Sequence, residues 1–138
     1  MQCRTILDLS FLASGAVTTA RCVGFSGAQA NTQGQKVAGV ARFNAVSGDM
    51  FPATASGTAI VEAGAAVSIG QSLICDNQGR AIPATGSLTV KTGAVAVTSS
   101  AANGATILSG ADLPEYVFGD ALEAASVAGD KIEVLLRR

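Results

Sequence analysis

The chain has 138 residues and a formal net charge of −1, with 14% charged and 4% aromatic residues. This length suits one domain with its own core. The scattered Lys and Arg residues argue against nucleic-acid binding by phosphate neutralisation, and the single Tyr and absent Trp remove a base-stacking platform.

Small apolar residues dominate the hydrophobic share of 49%, and Gly occurs 16 times. A core built from Ala and Val requires closely packed elements. Soluble domains carry about 25% charged residues, so this surface is poor in charge. Such a surface is typical of a subunit that binds other proteins in an assembly.

At the N-terminus, Arg4 precedes the apolar stretch Ile6–Leu12, as in a signal peptide. Asp8 interrupts that short stretch, so we do not expect export. Leu7, Leu9 and Phe11 alternate with polar residues, which predicts a strand. We expect residues 1–25 to form N-terminal strands or an arm.

Short alternations continue along the chain, and turn signals separate them. The clearest alternation is at the C-terminus, where Ile132, Val134 and Leu136 are predicted to share one face of a strand. The other β-prone segments are 17–25, 59–61, 67–75, 87–92, 94–98 and 116–118. Structural turns are predicted at Gly48, Asp49, Asp76, Gly79, Gly129 and Asp130.

These patterns predict an all-β fold: a small single-domain β-sandwich or β-barrel of short antiparallel strands, spanning residues 1–138 with little helix. Ala121–Ala128 is Ala-rich, but a helix of this length is marginal. Residues 93–112 are predicted to form a long loop. Residues 92–111 lack charge, yet half of them are Gly, Ser, Thr or Asn, so we expect no membrane span.

An internal similarity links two parts of the chain. Gly39-Val40-Ala41, Ala45 and Gly48-Asp49 resemble Gly119-Asp120-Ala121, Ala124-Ala125 and Gly129-Asp130, with one extra residue in the second block. Two interpretations stay open: pseudo-symmetry between two halves of one module, or chance similarity in an Ala- and Gly-rich chain.

The side chains that usually carry catalysis are missing. The absence of His excludes Ser-His-Asp and Cys-His arrangements, and no phosphate-binding glycine motif occurs. Cys3, Cys22 and Cys75 are too widely spaced for a metal site and are expected to be reduced. Asp76–Gly79 suits a hairpin turn better than a calcium loop. We therefore predict no enzyme and no catalytic, cofactor-binding or metal-binding residues.

From Gly39 onward the order of the motifs resembles that of phage capsid decoration, or cement, proteins. The motifs are Gly39-Val40-Ala41-Arg42, Gly57-Thr58-Ala59-Ile60-Val61, Ala63–Leu73, Asp76–Ala84, Phe118–Ala125 and Gly129–Val134. Gln71 and Asp120 depart from the family pattern, and residues 1–38 match it poorly.

The resemblance implies a structural virion protein that binds the outer surface of a phage head and is made in the bacterial host cytoplasm. Its implied partners are the major capsid protein and copies of itself, as a homotrimer, with no nucleic acid or membrane. Segments outside the shared motifs supply the candidate capsid or self contacts, namely Leu7, Leu9, Phe11, Val95 and Val97. A tail or other assembly subunit, or a glycan-binding β module, remains the alternative.

Overall fold

The computed structural model describes residues 3–84, 98–101, 106–109 and 115–137. The chain forms two compact units, one from residues 1–84 and 115–138, the other from residues 85–114. Every regular element in the described ranges is a strand, which confirms the predicted all-β class.

The strands are short, apart from β4 and β1. In chain order they are β1 (Thr5–Leu12), β2 (Cys22–Val23), β3 (Gly39–Ala41), β4 (Met50–Glu62), β5 (Ser72–Cys75), β6 (Ala81–Pro83), β7 (Thr98–Ala101), β8 (Thr106–Ser109), β9 (Gly119–Ala121) and β10 (Lys131–Leu136).

In the larger unit, an antiparallel sheet in the order β2-β3-β4-β10-β9-β5-β6 is nearly closed into a barrel. Strand β4 organises it. The first part of β4 pairs with β1 on one side and β3 on the other, and its second part pairs with β10. The smaller unit contains the antiparallel hairpin β7–β8 within the segment 93–112 that was predicted as a long loop.

The C-terminal alternation is confirmed by β10, since Ile132 and Val134 are buried and Lys131 is exposed. Glu133 departs from the pattern because it is buried rather than solvated. The helix considered at Ala121–Ala128 does not form. Instead, Ala125 exchanges two backbone hydrogen bonds with Val67, both 2.9 Å long, because a paired bridge is more stable than one short isolated helix.

Matching hydrogen bonds show that the larger unit contains two similar halves. Val17 and Ala45 exchange two backbone bonds of 2.9 Å, as Val67 and Ala125 do. The N–H of Ala13 donates to Asp49, and the N–H of Ala63 donates to Asp130. The structure therefore favours pseudo-symmetry over chance for the internal similarity.

The two halves can be aligned by constant offsets in residue number. Residues 8–23 match positions 50 further on (13 with 63, 17 with 67), residues 39–45 match positions 80 further on (45 with 125), and residues 48–54 match positions 81 further on (49 with 130). We call residues 4–56 the first repeat and residues 57–84 together with 115–137 the second. Strand β4 thus ends the first repeat and begins the second, where residues 57–62 correspond to β1.

The hydrophobic core consists of two clusters, and each belongs mainly to one repeat. The second repeat has the larger cluster, which includes Val61, Leu73, Ile132 and Val134 and is completed by first-repeat residues such as Cys22 and Val40. The smaller cluster of the first repeat contains Val17, Val23, Phe51 and Ala53, with Phe11 packed against it. Every buried residue in this smaller cluster comes from the first repeat.

Candidate contact surfaces

Strand β1 carries an unusual number of exposed apolar side chains. The exposed fractions are 77% for Ile6, 48% for Leu7, 39% for Leu9 and 59% for Leu12. Met50, the antiparallel partner of Leu12 on β4, is 64% exposed. We call these five residues the β1 surface. Leu12 and Met50 are directly opposed across the two strands, and grouped exposed apolar side chains of this kind mark protein-contact sites.

The β1 surface lies on a strand with one unpaired edge. Within the described residues, β1 pairs only with β4. The N–H of Ala13 points towards β4, where it donates to Asp49, and N–H directions alternate along an antiparallel ladder. The N–H groups of Asp8 and Leu12 therefore point to the open side.

A polar cluster fixes β1 to the sheet. Asp8 accepts hydrogen bonds from Arg42 at 2.6 Å and from the Thr54 hydroxyl at 2.9 Å. Near Leu7 the pairing with β4 shifts register, as in a β-bulge. The strand is thus held in a defined position while its apolar side chains remain exposed.

A second exposed apolar element is the turn after β3. Phe43 and Val46 are 60% and 65% exposed. Between them, Ala45 is buried and bonded to Val17, and the Asp49 carboxylate accepts a hydrogen bond from the Val46 N–H. The turn therefore presents two apolar side chains on a constrained backbone.

The predicted turn residues lie at the ends of strands. Gly48, Gly79 and Gly129 have positive φ angles of 94°, 74° and 100°. Asp49 and Asp130 each accept backbone N–H bonds within their turns. Asp76 is buried, and it accepts bonds from the N–H groups of Gln78 and Arg80 and from the Arg80 guanidinium. These hydrogen bonds close the β5–β6 hairpin.

The candidate contact residues have different positions. Leu7 and Leu9 belong to the β1 surface, whereas Phe11 is partly buried and its ring centroid lies 6.2 Å from that of Phe51. Val95 and Val97 lie outside the described residues. Sequence reasoning missed Ile6, Leu12, Met50, Phe43 and Val46. Leu12 could have been found, because it ends the same apolar run, but the pairing of Met50 with Leu12 has no local sequence signal.

The described part of the surface also bears on sugar and metal binding. A shallow cleft includes Tyr116, but the Lys36 ammonium lies 4.9 Å from its ring centroid and occupies one face that a sugar would need. Among the described residues, no group of three or more His, Cys, Asp or Glu could hold a metal ion. No helix in this part of the chain has the length and hydropathy to cross a membrane.

Comparison with known proteins identifies one family. A family model described as a phage cement protein matches residues 1–137. The solved structure of the head fiber gp8.5 N base in bacteriophage phi29 is similar in fold, with a TM-score of 0.62 and 18% sequence identity over 95% of this chain and 93% of that chain. No curated protein matches the sequence.

Proposed function

The chain belongs to the phage cement protein family, and from this premise we propose that it decorates the outer surface of a phage head by binding coat subunits. The family match over residues 1–137 carries the proposal, because it places the chain among structural proteins of the phage head. We also propose that the chain is made in the host cytoplasm and then adds to the assembled head. Its proposed partners are the major capsid protein and two further copies of itself.

The surface chemistry supports a contact role. A cement protein must gain affinity from contacts with a preformed partner, and exposed apolar side chains on constrained backbone lose little entropy on binding. Phe43 and Val46 meet this requirement. We assign them to the coat contact. Repetition of a modest contact in a symmetric oligomer raises the overall affinity.

Binding to bare heads tests the proposal. Heads of the parent phage assembled without this protein would be mixed with purified protein and sedimented, and the bound fraction measured against concentration. We expect saturable binding by the wild type. Phe43→Glu should weaken it roughly tenfold or more, since the added carboxylate would lose water at the contact.

Gln33→Glu provides the matched control, because Gln33 is exposed and the change adds the same charge away from the turn. It should bind like the wild type. Failure of the wild-type protein to bind heads would contradict the proposed function. If Phe43→Glu bound heads as tightly as the wild type, the turn would not be part of the coat contact.

A further inference from the structure

The two repeats contact each other through a specific set of groups. The N–H groups of Thr58 and Glu62, on the edge of β4 that faces away from β10, donate to the carbonyls of Arg4 and Ala20 at 3.0 and 2.9 Å. Beside them, the Arg21 guanidinium makes two hydrogen bonds of 2.8 and 3.1 Å to the Glu62 carboxylate. The first repeat thus covers this strand edge of the second.

The corresponding edge of the first repeat is open. Asp8 and Leu12 of β1 match Thr58 and Glu62, and their N–H groups point to the side where the described residues provide no strand. The exposure of the side chains differs between the repeats in the same way. Leu9 is 39% exposed, whereas its counterpart Ala59 is 2% exposed. The fold therefore covers this strand position with a bonded segment in one repeat, whereas in the other no described strand pairs with it, although the backbone of Gly27 lies against the Leu12 carbonyl.

The segment of the first repeat that covers the β4 edge also has a counterpart in the second repeat. Ala20 and Arg21 match Gly70 and Gln71, in the turn that precedes β5. Ala20 and Gly70 share the same unusual backbone, with φ angles of 60° and 82°. The turn 68–71 is held in shape by Gln71, whose side chain accepts a bond from the Ser68 N–H at 2.7 Å. Next to Gly70, Ile69 is 71% exposed.

We propose that two copies of the chain associate head to tail, with the turn 68–71 of one copy seated on the open edge of β1 in the next. The carbonyl of Gly70 would accept from the Leu12 N–H of the neighbouring copy, as the carbonyl of Ala20 accepts from Glu62 within the chain. The occupant of the β1 surface is therefore a second copy of this protein.

The side chains at this junction fit a contact between copies. The internal junction is polar, with Thr19, Arg21, Glu62 and Lys131 around it. Their counterparts are Ile69, Gln71, Leu12 and Met50. Every charged residue of the internal set is replaced by an uncharged one, and three of the four replacements are exposed apolar side chains. Exposed apolar side chains grouped in this way mark protein-contact sites.

The contact joins two different surfaces, so it propagates and can close into a ring. This contact would be the interface between the copies of the proposed homotrimer, and in that respect the inference rests on the proposed function. Each ring would alternate internal and intermolecular junctions that share one backbone arrangement and differ in the polarity of their side chains.

A charge exchange tests the inference. Leu12→Glu should lower self-association of the full chain, measured by sedimentation velocity, by roughly tenfold or more, because it buries an unpaired carboxylate. Adding Gln71→Arg should restore association by recreating the Arg21–Glu62 pair between copies. Association of the double variant should fall at 1 M salt, where the Debye length is about 3 Å.

Val127→Glu is the control, since Val127 is 61% exposed and lies outside both surfaces. It should associate like the wild type. Unchanged association of Leu12→Glu, or no recovery in the double variant, would overturn the interface. A wild-type protein that binds heads but never self-associates would refute this inference alone, whereas self-association without head binding would refute only the proposed function.

Discussion

Two of the three cysteines are set apart from solvent at the level of single residues. Cys22 and Cys75 are fully buried, and Cys3 is exposed. Burial raises the pKa of the Cys22 thiol well above its ordinary value, and the nearby Cys75 and Asp76 raise it further. Burial also raises the pKa of Cys75, although backbone hydrogen bonds oppose the shift. Both thiols therefore stay protonated as the pH rises towards the usual thiol range.

Alkylation should separate these thiols. The thiolate is the reactive form, so a raised pKa and burial both slow the reaction of Cys22 and Cys75. We expect iodoacetamide at pH 8 to modify Cys3 alone in the native protein and all three residues in denaturant, as counted by mass spectrometry. Rapid native modification of Cys22 would contradict the burial described above.

Gly39 and Gly119 are the clearest constraint at the level of strands. They occupy matching positions at the starts of β3 and β9. A Cβ atom on Gly39 would lie 2.7 Å from the Thr54 carbonyl oxygen, and one on Gly119 would lie 2.6 Å from that of Leu135. Neither strand could hold its present distance from its neighbour with a larger residue.

Gly119→Ala should therefore lower the free energy of unfolding by about 1–3 kcal/mol, the usual cost of overpacking. Gly15→Ala is the matched control, because a Cβ there meets nothing within 4 Å and the φ angle is ordinary. That change should be neutral or slightly stabilising. Urea unfolding followed by circular dichroism compares the two, and equal stability losses would contradict the close approach at Gly119.

Sequence patterns predicted the strands that have regular alternation and missed those that do not. The strand at Leu7–Phe11, now β1, and the buried face of β10 follow from alternation. The first part of β4 was missed because Pro52 and small residues give it little β-propensity. Tyr116–Phe118 was predicted as β-prone, but the described strand begins only at Gly119.

The candidate surface was predicted only in part for a related reason. Alternation shows which side chains of β1 share a face, but it does not show whether another element covers them. The exposure of Leu9 and Leu12 depends on distant chain segments. The repeat numbering likewise became clear only from hydrogen bonds, because few residue identities are shared between the halves.

At the scale of the whole molecule, the duplicated fold and the exposed apolar surfaces support one account. The larger unit contains two similar repeats, one of which covers the other, and this leaves a matching edge open. We assign that edge to a second copy and the Phe43–Val46 turn to the coat. Contacts between copies would multiply a modest contact with the coat, and this raises the overall affinity.

Cryo-electron microscopy of bare heads incubated with the purified protein tests the central claim most directly. The account predicts added density on the outer surface of the shell that fits three copies joined through β1 and the turn 68–71, with Phe43 and Val46 facing coat subunits. Heads whose outer surface is unchanged after incubation at saturating protein would contradict it.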